Sequence, residues 1–330
     1  MSSAGSPHHD HRSVAVNVAV VGAGAIGTAL SVELAAAGRV AVLVCTRPGV
    51  TGPDRFRLQR PDGTALSCEL SPLEAAPEAT AAASRPGASC PLHPHQVGPV
   101  DVVLLATKAY QSPGARPWLE ALVGPDTVVA VLQNGIDQVE RISELVPPGT
   151  AVVPVVVMMA VDRHGPGEVH QAGVGLLQTP DTPAGAAVAD LFAGTTVRVE
   201  AVADFRTRAW HKLLINAVVG GIGALTLRGL DVLADPAINR LARDLADEVV
   251  AVARAEGAAL TDEDAGRALD RAVRNAQGHW SSISVDRREG RPLEWQVRNA
   301  PIGILGRRHA IPTPLNDLVT TLLRACDPHD

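Results

Sequence analysis

Apolar and polar positions change their period along the chain, and the changes mark its organisation. From Val14 an apolar, β-branched run leads into Gly22-Ala23-Gly24-Ala25-Ile26-Gly27 and then an alanine-rich segment to Ala37, which predicts a strand, a tight turn and a helix. Val40 to Val44 predicts a second strand, and Arg55 to Leu70 alternates around Asp62-Gly63 as a hairpin does. Asp101 to Ala106 and Thr127 to Leu132 are continuous apolar runs, the pattern of strands buried on both faces, with a short helix at Trp118 to Val123 between them. Ala151 to Ala160 predicts one more buried strand, and Glu168 to Gln178 and Val197 to Val199 shorter ones closing the same sheet.

From Asp204 onward the period becomes helical. Ile238, Leu241, Leu245, Val249 and Val252 recur at helical spacing between arginines and acids, and Thr261 opens a further helix with Glu263 and Asp264 in its first turn. The fold class expected is α/β: a Rossmann-type doubly wound sheet over residues 14–202, then an all-helical domain over 203–330 that supplies the substrate side of a cleft. Residues 1–13, rich in Ser, Gly, His and Pro, are expected to be disordered. Pro72 to Pro99, rich in Pro, Ala and Ser with no apolar period, is expected to be a mobile surface insertion.

Composition narrows the function. A formal net charge of -6 argues against nucleic acid as a partner, and no apolar run is long enough to span a membrane. With no signal-like apolar core in the first dozen residues, a cytoplasmic protein is expected. The cysteines at 45, 68, 90 and 326 have no C-x-x-C spacing, and His8, His9 and His11 lack fixed neighbours, so no metal site is expected.

The turn at Gly22-x-Gly24-x-x-Gly27 lies where a dinucleotide needs it. Gly22 allows the turn, Gly24 admits a pyrophosphate to the backbone, and Gly27 allows close helix packing, while Ala25 and Ile26 open the helix whose N-terminus faces the phosphates. No acid follows the second strand to grip the ribose of NAD. Arg47 stands there instead and suits the 2'-phosphate of NADP, so NADPH is favoured. Two polar strand endings, Thr107-Lys108 and Gln133-Asn134-Gly135, fall on the edge where open parallel sheets bind ligands. Of 29 basic residues only Lys108 and Lys212 are lysine, and lysine, unlike arginine, can be tuned to release a proton. Lys212 and Asn216 are four apart and share a helix face, so Lys212 can serve as the general acid in carbonyl or imine reduction. The only tyrosine, Tyr110, has Gly114 four residues on, which excludes a Tyr-x-x-x-Lys pair.

Together with Trp210-x-Lys212-Leu213-x-x-Asn216, the segment Ser282 to Glu294 and Thr313-Pro314-x-Asn316, these motifs make the chain resemble the ketopantoate reductases (2-dehydropantoate 2-reductases) from Val16 to Leu323, the insertion apart. The resemblance implies that Lys212 donates the proton to a 2-keto oxygen and that Glu294 hydrogen-bonds the substrate hydroxyl. It further implies that Ser282 and Asn216 contact substrate, that Asn134 touches cofactor and positions the reacting groups, and that Lys108 and Arg47 meet the NADP phosphates and ribose. A small-molecule substrate and a homodimer are the expected partners.

Two departures qualify the substrate. Where the family has a second asparagine and a proline, this chain has Gly220 and Gly221, which is expected to remove a polar contact and open space. Trp295 and Gln296 replace an aliphatic residue and an acid after Glu294. A reductase of a larger ketone or imine is therefore one alternative, and a non-catalytic NADP-sensing protein is another.

Overall fold

The structure, a computed structural model, describes residues 16–38, 40–46, 55–69, 71–74, 98–275 and 279–329. Arg47, Cys90, the N-terminal 15 residues and most of the expected insertion lie outside the described residues.

Six parallel strands form the first sheet, in the order β5-β2-β1-β6-β7-β8. They are β1 (Val16–Val21), β2 (Val40–Thr46), β5 (Ser71–Glu74), β6 (Val102–Leu105), β7 (Val128–Val131) and β8 (Ala151–Pro154). The central runs are apolar because both faces are covered: Val18, Ala19, Val20, Val103, Leu104, Leu105, Val129 and Ala130 are fully buried. Pro72 to Glu74, expected to begin the insertion, instead lie in β5, the edge strand parallel to β2.

A second sheet departs from expectation. The hairpin of β3 (Arg55–Gln59) and β4 (Ala65–Glu69) does turn at Asp62-Gly63, but β3 pairs in parallel with β10 (Glu168–Pro180), which also pairs with β9 (Val156–Gly165) and β11 (Arg198–Val202). The strands from 168 onward therefore build their own sheet and do not close the first. The single strand expected over Ala151 to Ala160 is likewise two, belonging to different sheets and parted at Val155. β8 adds to the first sheet, whereas β9 alternates between half-buried and exposed positions, as a strand covered on one face does.

Helix α1 (Ala25–Ala37) lies between the two sheets, which explains why it is apolar nearly all round and buried along most of its length. Its one buried acid, Glu33, fastens the layers together: Arg60 donates Nε to Oε1 at 2.7 Å and Nη2 to Oε2 at 2.6 Å, and Thr196 Oγ1 donates at 2.8 Å. Burial works to raise the Glu33 carboxyl, yet these donors hold it below its ordinary value.

From Phe205 the described elements are helical. Helix α5 (Phe205–Ile215), following α2 (Arg116–Leu122), α3 (Gln138–Ser143) and α4 (Pro183–Leu191), continues into a π-helical turn over Asn216–Gly220 and then α6 (Gly221–Thr226). The long amphipathic α7 (Pro236–Ala255) packs its Leu245, Val249 and Val252 into one core with Leu213, Leu214, Val218 and Ile283. Helices α8 (Asp262–Arg274), α9 (Ser282–Arg288), α10 (Trp295–Arg298), α11 (Ala300–Arg308) and α12 (Pro314–Ala325) complete it. Among the described residues no helix is long and apolar enough to cross a membrane, and no cluster of His, Cys, Asp and Glu is arranged to hold a metal.

Candidate active site

The glycine turn has the geometry a dinucleotide requires. Gly22 adopts φ +116°, and a Cβ on it would lie 2.7 Å from the Thr107 backbone nitrogen, so no other residue fits. A Cβ on Gly27 would fall 2.0 Å from the Gly22 carbonyl oxygen, which is how closely α1 packs on the turn. At Gly24 a Cβ would meet nothing within 4 Å: the space above this residue is open, and it caps α1 without any side chain or first-turn acid competing for the free N–H groups. The cradle therefore fits a phosphate group.

Next to it, at the carboxyl ends of β6 and β7, a polar network joins the sheet to the helices. Asn134, following β7, donates Nδ2 to Glu294 Oε2 at 3.0 Å and accepts at Oδ1 from Asn216 Nδ2 at 3.1 Å. Lys108, following β6, gives its ammonium to Asp286 Oδ2 at 2.7 Å and to Glu294 Oε2 at 3.3 Å. The backbone N–H of Ala109 donates to Glu294 Oε1 at 3.2 Å, and Arg298 Nη2 reaches Oε2 at 3.5 Å. The loop that carries Asn134 is itself held: Gln138 donates to the Gln133 carbonyl, and Arg141 Nη2 to the Asn134 carbonyl at 3.2 Å.

Glu294 is 2 % exposed, not the solvated helical carboxylate its sequence surroundings would make it. Burial drives its carboxyl upward, but Lys108 and Arg298, with the Ala109 and Asn134 donors, outweigh it and bring the pKa down to about 2. The same acids act on Lys108: burial pulls its ammonium down, whereas Glu294 and Asp286 carry it above its ordinary value. Lys108 is thus a fixed cation.

Lys212 is its opposite. Its ammonium has no hydrogen-bond acceptor and no ion pair among the described residues. Burial, and then the charge of Arg298, lower it to about 8. Lys212 lines a cavity with Gln133, Asn134, Gly135 and Asn216, so the two residues spaced four apart do share one face, and that face looks onto the ends of the sheet strands. The π-helical turn that starts at Asn216 follows directly, a feature frequent at functional sites.

Ser282 accepts a 2.7 Å hydrogen bond from Arg298 Nη2, while its neighbour Ser281 caps α9. The sites expected from sequence are therefore gathered at one place, with Lys108 among the acids at the helical side; Arg47 is outside the described residues. Two charged residues escaped sequence reading: Asp286 and Arg298, 3 % and 2 % exposed. Both sit among polar neighbours in short helices and carry no motif of their own; only the partners brought from 178 residues away and from i,i+4 mark them.

Gly220 does not open the space that the missing asparagine was expected to leave. A Cβ there would lie 3.2 Å from Ile283 Cγ2 and 3.6 Å from Arg298 Nη1. The volume is filled by a side chain from another helix. Trp295 packs against the helical core with its Nε1 buried and without a partner among the described residues, and is not among the residues lining the Lys212 cavity.

Residues 18–183 match the family described as ketopantoate reductase PanE/ApbA, and residues 204–327 match its C-terminal part. The 2-dehydropantoate 2-reductase of Mycobacterium tuberculosis (strain ATCC 25618 / H37Rv) is 38% identical over 313 residues, 94% of this chain and 98% of that protein. The enzyme of the same description from Caulobacter vibrioides is 35% identical over the same share of both chains. The crystal structure of 2-dehydropantoate 2-reductase from Geobacter metallireducens GS-15 superposes with a TM-score of 0.81 at 25% identity, covering 94% of this chain and 99% of the other.

Proposed function

Because the chain belongs to the ketopantoate reductase family, oxidoreductases that act on a keto group, we propose that it reduces a 2-oxo acid, ketopantoate to pantoate first among them, with NADPH as reductant and Lys212 as general acid. Lys212 carries this reading: an unpaired ammonium, lowered to about 8, on the wall of a cavity at the strand ends beside the glycine turn. A group with that value is mostly protonated at neutral pH and yet able to give the proton up.

The nicotinamide cofactor supplies the hydride when bound. The backbone at Gly22, Gly24 and the first N–H groups of α1 would hold its pyrophosphate, and Arg47 a 2'-phosphate. Lys212 holds the proton at Nζ and delivers it to the keto oxygen as that oxygen gains negative charge. Asn216 and Asn134, already hydrogen-bonded to each other, fix the orientation of the reacting group from both sides of the cleft. Glu294 has four donors on its two oxygens; the 3.5 Å contact from Arg298 is the longest and is the one a substrate hydroxyl would replace.

The two glycines separate fold from binding. Gly24→Val is expected to leave the melting temperature unchanged and to weaken NADPH binding by at least about tenfold, because its side chain points into open space. Gly27→Ala drives a methyl into the Gly22 carbonyl and is expected to destabilise the fold by about 1–3 kcal/mol. Thermal melts beside NADPH fluorescence titrations check both. The reaction itself is tested by NADPH oxidation with ketopantoate, run beside NADH: turnover that prefers NADPH is expected, and NADPH binding with no turnover on any 2-oxo acid would refute the proposal.

A further inference from the structure

We propose that Arg298, packed beside Gly220 and between Ser282 and Glu294, binds the carboxylate of the 2-oxo acid and makes the enzyme selective for anionic over neutral ketones. This deepens the function proposed above and rests on it.

Charge balance comes first. The buried network contains three cationic side chains, Lys108, Lys212 and Arg298, against two carboxylates, Glu294 and Asp286; the further pair of Arg291 and Glu289 at its rim cancels. One positive charge is left over inside the protein, where an uncompensated charge is costly, so the site is built for an anion that arrives with the substrate.

Arg298 is the cation placed to meet it. Lys108 already spends its charge on two acids, at 2.7 and 3.3 Å, and Lys212 is reserved for the proton. Among the described residues the Arg298 guanidinium makes two hydrogen bonds, 2.7 Å to Ser282 Oγ and a long 3.5 Å to Glu294, both through Nη2. Its Nε is buried with no partner, and Nη1 has no acceptor among the described residues. Nη1 is the donor left for a carboxylate oxygen, as a charge-assisted hydrogen bond made between the side chains of Ser282 and Glu294.

Gly220 lies against the guanidinium. Nη1 lies 3.6 Å from where its Cβ would be, ordinary van der Waals distance, so the guanidinium occupies the volume next to this glycine. Ser282 accepts from Nη2 at 2.7 Å and so fixes the orientation of the guanidinium.

The test compares 3-methyl-2-oxobutanoate with its methyl ester, which keeps the keto group and loses the charge. Wild type is expected to prefer the acid by roughly 100-fold in kcat/KM, the value of a charge-assisted hydrogen-bonded pair. In Arg298→Met that ratio is expected to fall to near one, through KM for the acid, and Arg298→Lys to recover part of it. Isothermal titration with the matching 2-hydroxy acid should show the same loss of affinity without turnover. If both substrates decline together and the ratio survives, Arg298 is structural and the proposal is overturned. Should Arg298→Met fail to fold, Arg298→Gln decides, because it keeps a hydrogen-bonding side chain at 298 and removes the charge: a reduced ratio supports the proposal, an intact one overturns it. A wild type that neither reduces nor binds any 2-oxo acid refutes the function itself, a result visible before any variant is compared.

Discussion

Lys212→Ala is expected to lower kcat for ketopantoate reduction by roughly 10²- to 10⁴-fold, the range that a positioned proton donor contributes. NADPH affinity should change little, since the glycine turn that would hold the pyrophosphate is made of different residues. The size of the effect follows from the surroundings of the ammonium. Among the described residues it has no acceptor to replace and no ion pair to break, so its removal leaves no orphaned partner among them, and the loss of rate is not a by-product of lost stability. Lys212→Arg should be nearly as inactive, because a guanidinium does not release its proton in the range where the enzyme works. Equal kcat in wild type and the alanine variant would remove Lys212 from the mechanism.

Glu294→Ala is expected to be damaging in a different way. Lys108, Arg298 and the Asn134 amide all lose an acceptor inside the protein, and removing one member of a buried pair costs about 3–5 kcal/mol. Lys108 keeps Asp286, which favours the lower end. The loss should depend on pH with a definite sign. The folded carboxyl sits at about 2, below its ordinary value of 4.5, so its contribution is fully present above that ordinary value and disappears as pH falls toward the folded one. Urea unfolding should therefore show wild type and variant far apart at pH 7 and closer near pH 3. Turnover should fall as well, because Asn134 loses the partner that orients it toward Asn216. A variant with wild-type stability at pH 7 would contradict the network as described.

Much of this site was legible in the amino-acid sequence because its chemistry is local. A strand, three spaced glycines and a helix specify the cradle within a dozen residues, and a polar triplet at the end of an apolar run marks the edge of a parallel sheet. Two lysines against an arginine background pointed to groups with special work, and their surroundings push them in opposite directions, Lys108 up and Lys212 down. Only tertiary contacts decide that difference.

What was hidden depended on partners far apart in the chain. Arg298 and Asp286 look like the solvated face of short helices until Ser282, Glu294 and Lys108 are brought to them. Glu33 is read as part of an ordinary helix until Arg60 and Thr196 enclose it. The second sheet was missed for a different reason: β8 and β9 follow one another without a turn through one apolar stretch, and β8 is itself only partly buried, so no local change of pattern marks the new sheet. Gly220 was open to misreading because a missing side chain says nothing of what fills its place.

The central claim, a 2-oxo acid reductase whose proton comes from Lys212, is tested most directly by NADPH oxidation with ketopantoate in wild type and Lys212→Ala across pH 6 to 10. The wild-type rate should hold level at low pH and decline as pH rises through about 8, where Lys212 loses the proton it must donate, while the variant stays low throughout and lacks that decline. A wild-type profile that crosses this range unchanged, or an alanine variant with the same limb and the same rate, would contradict the account.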